Sequence, residues 1–252
     1  LKIGIIQVQR FGDLIISLPI AAWFIRQGHE VYWPVNRHYQ GFMQAAAPDV
    51  QFMPLDGAPD PLNPLEFFYY RPLALLEEAG CDVCLPLYYY LEGGDFIDRK
   101  LAGSLKFDEY KYAFAGVPFA EKWTLSLKRD LGREKALYHM LGITRPYILV
   151  HRLASNAEAT VDLPARGQAD YQIIEISELT DNPLDWIYTI EQAAKRVMID
   201  SGFANLTEQL NIGGENYLIL KIELAGTPVF QNGWTYCWPG DPIPDNSQRA
   251  IT

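Results

Sequence analysis

Lys2-Ile-Gly-Ile-Ile-Gln-Val-Gln-Arg10-Phe-Gly-Asp13-Leu-Ile-Ile-Ser-Leu-Pro19 decides the fold, because an apolar run of strand length turns through Arg10-Phe11-Gly12 into a helix-forming segment. A run with so little polar alternation fits a strand buried on both faces, as in a parallel sheet. In an open α/β sheet the ligand crevice lies outside the carboxyl ends of the strands, so Asp13 stands where a substrate would be met. Gly12 has no Cβ, which lets the backbone turn sharply or approach a ligand closely. An aspartate beginning a helix also serves as an N-cap, and position alone leaves both roles open to Asp13.

Outward from this stretch the first half alternates strands near 2–8, 30–35, 51–55 and 82–88 with helices near 13–27, 38–47 and 64–79. Such alternation predicts a parallel sheet covered by helices. The prolines of Asp56-Gly-Ala-Pro-Asp-Pro-Leu-Asn-Pro64 restrict themselves and the residues before them, which marks a loop. Beyond Tyr88 an aromatic-rich stretch reads mainly as packing, with some rings available to line a ligand cleft. A helix is expected over 130–142, ended by Gly142, and Arg145-Pro146 then leads into the strand Tyr147-Ile-Leu-Val-His151. A second series follows, with strands near 147–152, 171–176, 196–200 and 217–223 and helices near 184–194 and 203–211. The fold class is therefore α/β with two Rossmann-like domains, 1–128 and 129–252.

The second series contains another strand entering a helix through a small polar turn, Val197-Met-Ile-Asp200-Ser201-Gly202-Phe-Ala-Asn205. Free N–H groups and the positive end of a helix dipole attract a diphosphate, and Ser201 adds a hydroxyl. The other reading is that Asp200 or Ser201 caps the helix. Glu175 closes a predicted strand, where a carboxylate can accept both ribose hydroxyls, although a solvent-facing strand position would also produce it.

Among 252 residues, 31 acidic side chains outnumber 21 basic ones for a formal charge of −10, which opposes capture by nucleic acid over most of the surface. Hydrophobic content of 49% argues for a folded chain, and no apolar run reaches the ~20 residues of a membrane span. The first residues run straight into a strand with no basic n-region, so a cytoplasmic protein is expected. Three cysteines suit a reducing compartment, and Cys81-Asp-Val-Cys84 lacks the second pair that a structural zinc site would need.

Residues 2–36 resemble the start of the ADP-heptose:lipopolysaccharide heptosyltransferase family, glycosyltransferase family 9. The resemblance rests on Arg10-Phe-Gly-Asp13, Ser17-Leu-Pro19 and Gly28-His-Glu-Val31, and it extends over roughly residues 130–212. It implies the GT-B architecture, two Rossmann-like domains facing across a cleft. With it goes the expectation of Asp13 as base, with Arg10 and Gly12 in the vicinity of the acceptor and phosphate and Arg10 or Arg152 assisting the leaving group. The nucleotide-sugar diphosphate is implied at the turn Asp200-Ser201-Gly202, and the family places hydroxyls and a lysine near the phosphates where His151, Arg152 and Ser155 stand here. Arg152 either supplies that charge or points to solvent, His151 also reads as a satisfied residue at a strand end, and Glu175 is the candidate for the ribose. Asn205 departs from the family, which carries a histidine there, and no lysine follows Arg152 closely. The segment 156–170 is short and a familiar Gly-Pro-Thr-Asp-Pro stretch is absent near 221–240, so the second domain reads as trimmed.

Inverting sugar transfer needs a base for the acceptor hydroxyl, an aligned donor and compensation for charge growing on the departing diphosphate. The expected function is a metal-independent transfer from a nucleotide diphosphate sugar, with no further cofactor, to a glycan or glycolipid acceptor. A glycolipid acceptor would bring the protein into peripheral contact with a membrane. Two alternatives are a nucleotide-sugar epimerase and a non-catalytic nucleotide- or glycan-binding protein. A nicotinamide-dependent oxidoreductase fits less well, since no Gly-x-Gly-x-x-Gly follows the first strand.

Overall fold

The computed structural model describes residues 1–154, 157–160, 170–221 and 226–243. The chain divides into two compact units, Leu1–Lys128 and Arg129–Thr252.

Unit 1 begins β1 (Lys2–Ile6), α1 (Phe11–Arg26), β2 (Glu30–Asn36), α2 (Arg37–Ala46) and β3 (Val50–Leu55). A π-helical turn at Glu66–Tyr70 leads into α3 (Arg71–Glu78), followed by β4 (Val83–Pro86), α4 (Arg99–Ala102), α5 (Phe107–Ala115) and a 3-10 turn at Phe119–Thr124. The strands form one parallel sheet in the order β3-β2-β1-β4. Beyond Lys2 the central β1 is apolar, and Ile3, Ile5 and Ile6 meet protein on both faces. Gly4 permits α3 to approach: a Cβ there would lie 2.7 Å from Leu76 Cδ1 and 3.1 Å from Leu76 Cγ. Pro34 lies past the β1–β2 ladder, which ends at Gly4↔Tyr32. In that stretch the Trp33 indole N–H donates to the Gln7 carbonyl at 2.9 Å, so a buried acceptor is satisfied.

The single helix expected over 64–79 is instead a π-helical turn followed by α3. Pro72 supplies the reason, because it has no N–H to return to the preceding turn and the helical register widens ahead of it.

Unit 2 comprises α6 (Leu131–Met140), β5 (Tyr147–His151), the antiparallel pair β6 (Leu153–Ala154) and β7 (Ala157–Glu158), and β8 (Gln172–Glu175). A 3-10 turn at Pro183–Trp186 precedes α7 (Ile187–Gln192), β9 (Lys195–Ile199), α8 (Gly202–Gln209), β10 (Glu215–Ile219) and β11 (Thr235–Cys237). The five longer strands form a parallel sheet in the order β11-β10-β9-β5-β8. Its core joins Ile148, Val150, Val197, Ile199, Tyr217 and Ile219. Burying an aliphatic side chain of this size contributes ~1.5–3 kcal/mol. The strand expected over 217–223 is displaced to Glu215–Ile219, and residues 222–225 lie outside the described ones.

Arg196 enters this interior with 2% exposure. Its guanidinium donates to the carbonyls of Ile190 (2.6 Å), Glu191 (3.1 Å), Ala193 (3.1 Å) and Gly213 (3.0 Å) and to Asn216 Oδ1 (3.1 Å). Burial lowers its pKa, while the five acceptors answer all five N–H donors of the side chain.

Candidate functional site

In unit 1 the chain order reverses between β1 and β4, and a crevice opens outside the carboxyl ends of the two strands flanking such a switch point. Asp13 lies in the first turn of α1, which starts there, and the helix dipole favours negative charge at that end. Its Oδ1 is 3.1 Å from Lys111 Nζ, and the lysine side chain is 2% exposed against 21% for the aspartate. The ammonium also donates to Gln7 Oε1 at 2.6 Å and to the Leu87 carbonyl at 2.7 Å. Gln7 follows β1 and Leu87 follows β4, so one cation from α5 ties both strand ends to the carboxylate. With three acceptors for three protons, Lys111 orients Asp13 and has no proton left for a ligand.

The capping alternative for Asp13 is corrected by this geometry: Arg10 occupies the N-cap position, with no side-chain capping bond, and Asp13 is already helical. Arg10 has φ 71°, a region that costs a non-glycine residue ~1–3 kcal/mol and that concentrates at functional sites. Its side chain is exposed and Gly12 is half-buried. The Val8 N–H donates to the Tyr88 hydroxyl at 3.0 Å, and burial raises the Tyr88 pKa far above the usual phenol range, so the ring stays neutral.

The order of unit 2 reverses between β5 and β9, which places the corresponding crevice outside His151 and Asp200. His151 ends β5, and its Nδ1 lies 3.0 Å from Ser201 Oγ. Burial pushes the imidazole pKa down to about 4, so the ring is neutral at pH 7. Phe203 packs edge-on against it at 4.8 Å. Ser201 is the N-cap of α8, and Ala204 N donates to its Oγ at 3.5 Å. Ser201 therefore combines capping with the contact to His151. Asp200 is buried at 5% exposure, and its N–H donates to the Ile219 carbonyl at 3.0 Å. Asn205 is equally interior; its Nδ2 donates to the Ser201 carbonyl at 3.0 Å and its Oδ1 has no hydrogen-bond partner.

Arg152, just past the end of β5, meets Glu175 at the end of the adjacent β8, with Nε 3.3 Å from Oε1 and side-chain exposures of 30% and 52%. An ion pair this exposed contributes ~0–1 kcal/mol, so a stronger ligand can displace it. Ser155 lies outside the described residues. The structure thus gathers His151, Arg152, Glu175, Asp200, Ser201, Gly202 and Asn205 at one edge of one sheet. Asp13, Arg10 and Gly12 lie at the matching edge of the other.

Lys111 and Gln7 escaped the sequence reading. The sequence carries little signal for them, because the burial of Lys111 between Tyr110 and Tyr112, which obliges the lysine to find a partner, emerges only in the fold. Elsewhere, Cys81 and Cys84 are free, and burial raises both thiols, Cys84 to about 11, which keeps them from acting as thiolates near neutral pH. Among the described residues no group of three or more His, Cys, Asp or Glu could hold a metal, and no helix is long and apolar enough to cross a membrane.

Neither protein-family models nor curated proteins match the chain. Solved structures do. A glycosyltransferase family 9 protein of Veillonella parvula superposes with TM-score 0.62 at 12% identity, covering 94% of this chain and 85% of that one. Escherichia coli heptosyltransferase WaaC with ADP gives TM-score 0.51 at 12% identity, covering 94% and 93%. TibC, a dodecameric iron-containing glycosyltransferase of enterotoxigenic E. coli, gives 0.54 at 14% identity, and this chain spans 63% of its length. The likeness establishes an α/β fold with parallel sheets shared with these glycosyltransferases.

Proposed function

We propose that this chain is an inverting glycosyltransferase that moves a sugar from a nucleotide diphosphate donor to a glycan or glycolipid acceptor. The observation that carries the reading is the Asp13 carboxylate, held by Lys111 at a strand switch point and still open to solvent. Fixed in place by Lys111, the carboxylate would take the proton of an acceptor hydroxyl as that oxygen attacks the anomeric carbon. The leaving diphosphate is assigned to the α8 N-terminus, where backbone N–H groups and the helix dipole offset its growing charge without a metal. Arg152, released from Glu175, would add a cation, and Glu175 would then accept the ribose hydroxyls. Acceptor activation by unit 1 and donor binding by unit 2 is the division of labour of the GT-B architecture, here with a trimmed second unit. A cytoplasmic enzyme meeting glycolipid at a membrane surface accords with this reading.

The test pairs donor binding with turnover. Nucleotide sugars, ADP-heptose first, are screened by thermal shift, and nucleoside diphosphate release is followed with a panel of glycan and glycolipid acceptors. Asp13→Asn should lower turnover by ~10²–10⁴-fold, the usual worth of a general base, with donor affinity nearly unchanged. Full turnover by that variant refutes the assignment.

A second reading is a nucleotide- or glycan-binding protein without turnover. It is favoured by the neutral His151 and by Arg152 already paired with Glu175, which leave little positive charge at the diphosphate turn. Tight nucleotide binding with no release on any acceptor would select it. An epimerase would differ by converting the donor in the absence of an acceptor.

A further inference from the structure

The loop following β4 and helix α4 enclose a cleft of about 460 Å³, within the ~300–1,000 Å³ typical of small-molecule sites. Tyr89, Tyr90, Glu92 and Arg99 line it. Tyr90 is 77% exposed, and among the described residues its ring has no aromatic partner across the cleft. Tyr89 is anchored instead, packing edge-on against Tyr110 with centroids 5.7 Å apart. The Tyr110 hydroxyl accepts the Asp98 N–H at 3.3 Å, which fixes the far side of the loop. Gly94 keeps the turn tight, since a Cβ there would stand 3.1 Å from the Leu91 carbonyl and 3.1 Å from Phe96 Cζ. Glu92 and Arg99 are exposed, and among the described residues neither enters an ion pair, so an acceptor and a donor group are both free for a ligand.

We propose that this cleft is a carbohydrate subsite that takes a neutral pyranose ring of the acceptor, stacked on Tyr90 and hydrogen-bonded by Glu92 and Arg99. A pyranose presents a C–H face suited to a tyrosine ring and a rim of hydroxyls that both donate to a carboxylate and accept from a guanidinium. Charge selects neutral over acidic sugars. Glu92, Asp95 and Asp98 outnumber Arg99 and Lys100 along this loop, and acidic side chains outnumber basic ones in unit 1, so a uronate would meet net repulsion. The position suits the transfer reading on which this inference rests: Tyr89 lies two residues beyond Leu87, whose carbonyl receives the Lys111 proton beside Asp13.

Saturation-transfer-difference NMR on the full chain tests it, with methyl gluco-, galacto- and mannopyranosides as probes, methyl glucuronide as the acidic comparison, and no donor present. At least one neutral hexoside should receive transfer at its ring C–H protons and outcompete the glucuronide. Tyr90→Ala and Arg99→Ala should each weaken binding roughly ten-fold, the effect of losing about 1.4 kcal/mol, and Leu62→Ala, an apolar change at a still more exposed residue outside the cleft, should leave it unchanged. Absence of transfer to every neutral hexoside, preference for the glucuronide, or undiminished binding by both cleft variants overturns the proposal. Because sugar binding is read without turnover, a chain that binds hexosides but transfers nothing sinks the transferase reading alone. An active chain indifferent to Tyr90→Ala sinks the subsite alone.

Discussion

Lys111→Met replaces a buried ammonium by an apolar side chain of similar length and leaves three acceptors without their donor. The Gln7 amide oxygen and the Leu87 carbonyl lose bonds of 2.6 and 2.7 Å in surroundings that are 2% and 0% exposed, so water cannot take over. A stranded buried acceptor costs ~1–3 kcal/mol. Asp13 is 21% exposed, and solvent screening reduces the loss of its 3.1 Å ion pair towards the ~1 kcal/mol of a surface pair. The total comes to about 5 kcal/mol, a large fraction of the ~5–15 kcal/mol that stabilises a domain. Native-state hydrogen exchange measures it where it arises: protection of α5 and of the segments after β1 and β4 should fall by this amount, with unit 2 unaffected. A cycle with Asp13→Asn then isolates the ionic part, because the lysine should be worth roughly 1 kcal/mol less once the carboxylate is gone. A loss under about 0.5 kcal/mol in the single variant, or strict additivity in the cycle, would refute the claim that Lys111 fixes the carboxylate.

Three further outcomes follow from the same geometry. Gly4→Ala should destabilise unit 1 by ~1–3 kcal/mol in urea unfolding, because the added methyl meets the whole Leu76 isobutyl end, and Leu76, itself fully buried, has nowhere to turn. His151 is neutral in the fold down to about pH 4 but titrates near 6.5 when unfolded, so the unfolded state binds the extra proton between these values. Stability should therefore fall as pH drops from about 6.5 to about 4, by at most ~3 kcal/mol, and His151→Gln should flatten that limb relative to wild type. Ser201→Ala removes the α8 cap and the partner of His151 together, which should cost ~1–2 kcal/mol by thermal unfolding and weaken nucleoside diphosphate binding. Unchanged nucleotide affinity in that variant would separate the turn from donor recognition.

The strands and helices that build the two switch points were readable because parallel strands buried on both faces are apolar without interruption, as in Ile3–Ile6 and Tyr147–His151. Asp13, His151 and Ser201 were readable as strand-end residues for the same reason. Their partnerships were not. Lys111 lies 98 positions from Asp13, and His151 lies 50 from Ser201, and periodicity carries no information across such separations. The short β11 was missed because three residues give no period, and the contact of Arg152 with Glu175 depends on strand register, which only hydrogen bonding fixes. The π-helical turn escaped because the apolar spacing of 64–79 reads the same whether or not Pro72 interrupts the bonding.

The interior guanidinium of unit 2 has a consequence for how that unit comes apart. Arg196 fastens the end of α7, the turn at Gly213 and the start of β10 to β9 through one planar group. None of these segments can fray alone without stranding a cation away from water, so their openings are coupled and the protein has no cheap partial unfolding on that side. Lysine could not replace it, since three donors on a single nitrogen cannot reach five acceptors spread over a plane. The strand that leads directly into the Asp200 turn is thereby held in register by a residue that never meets a ligand.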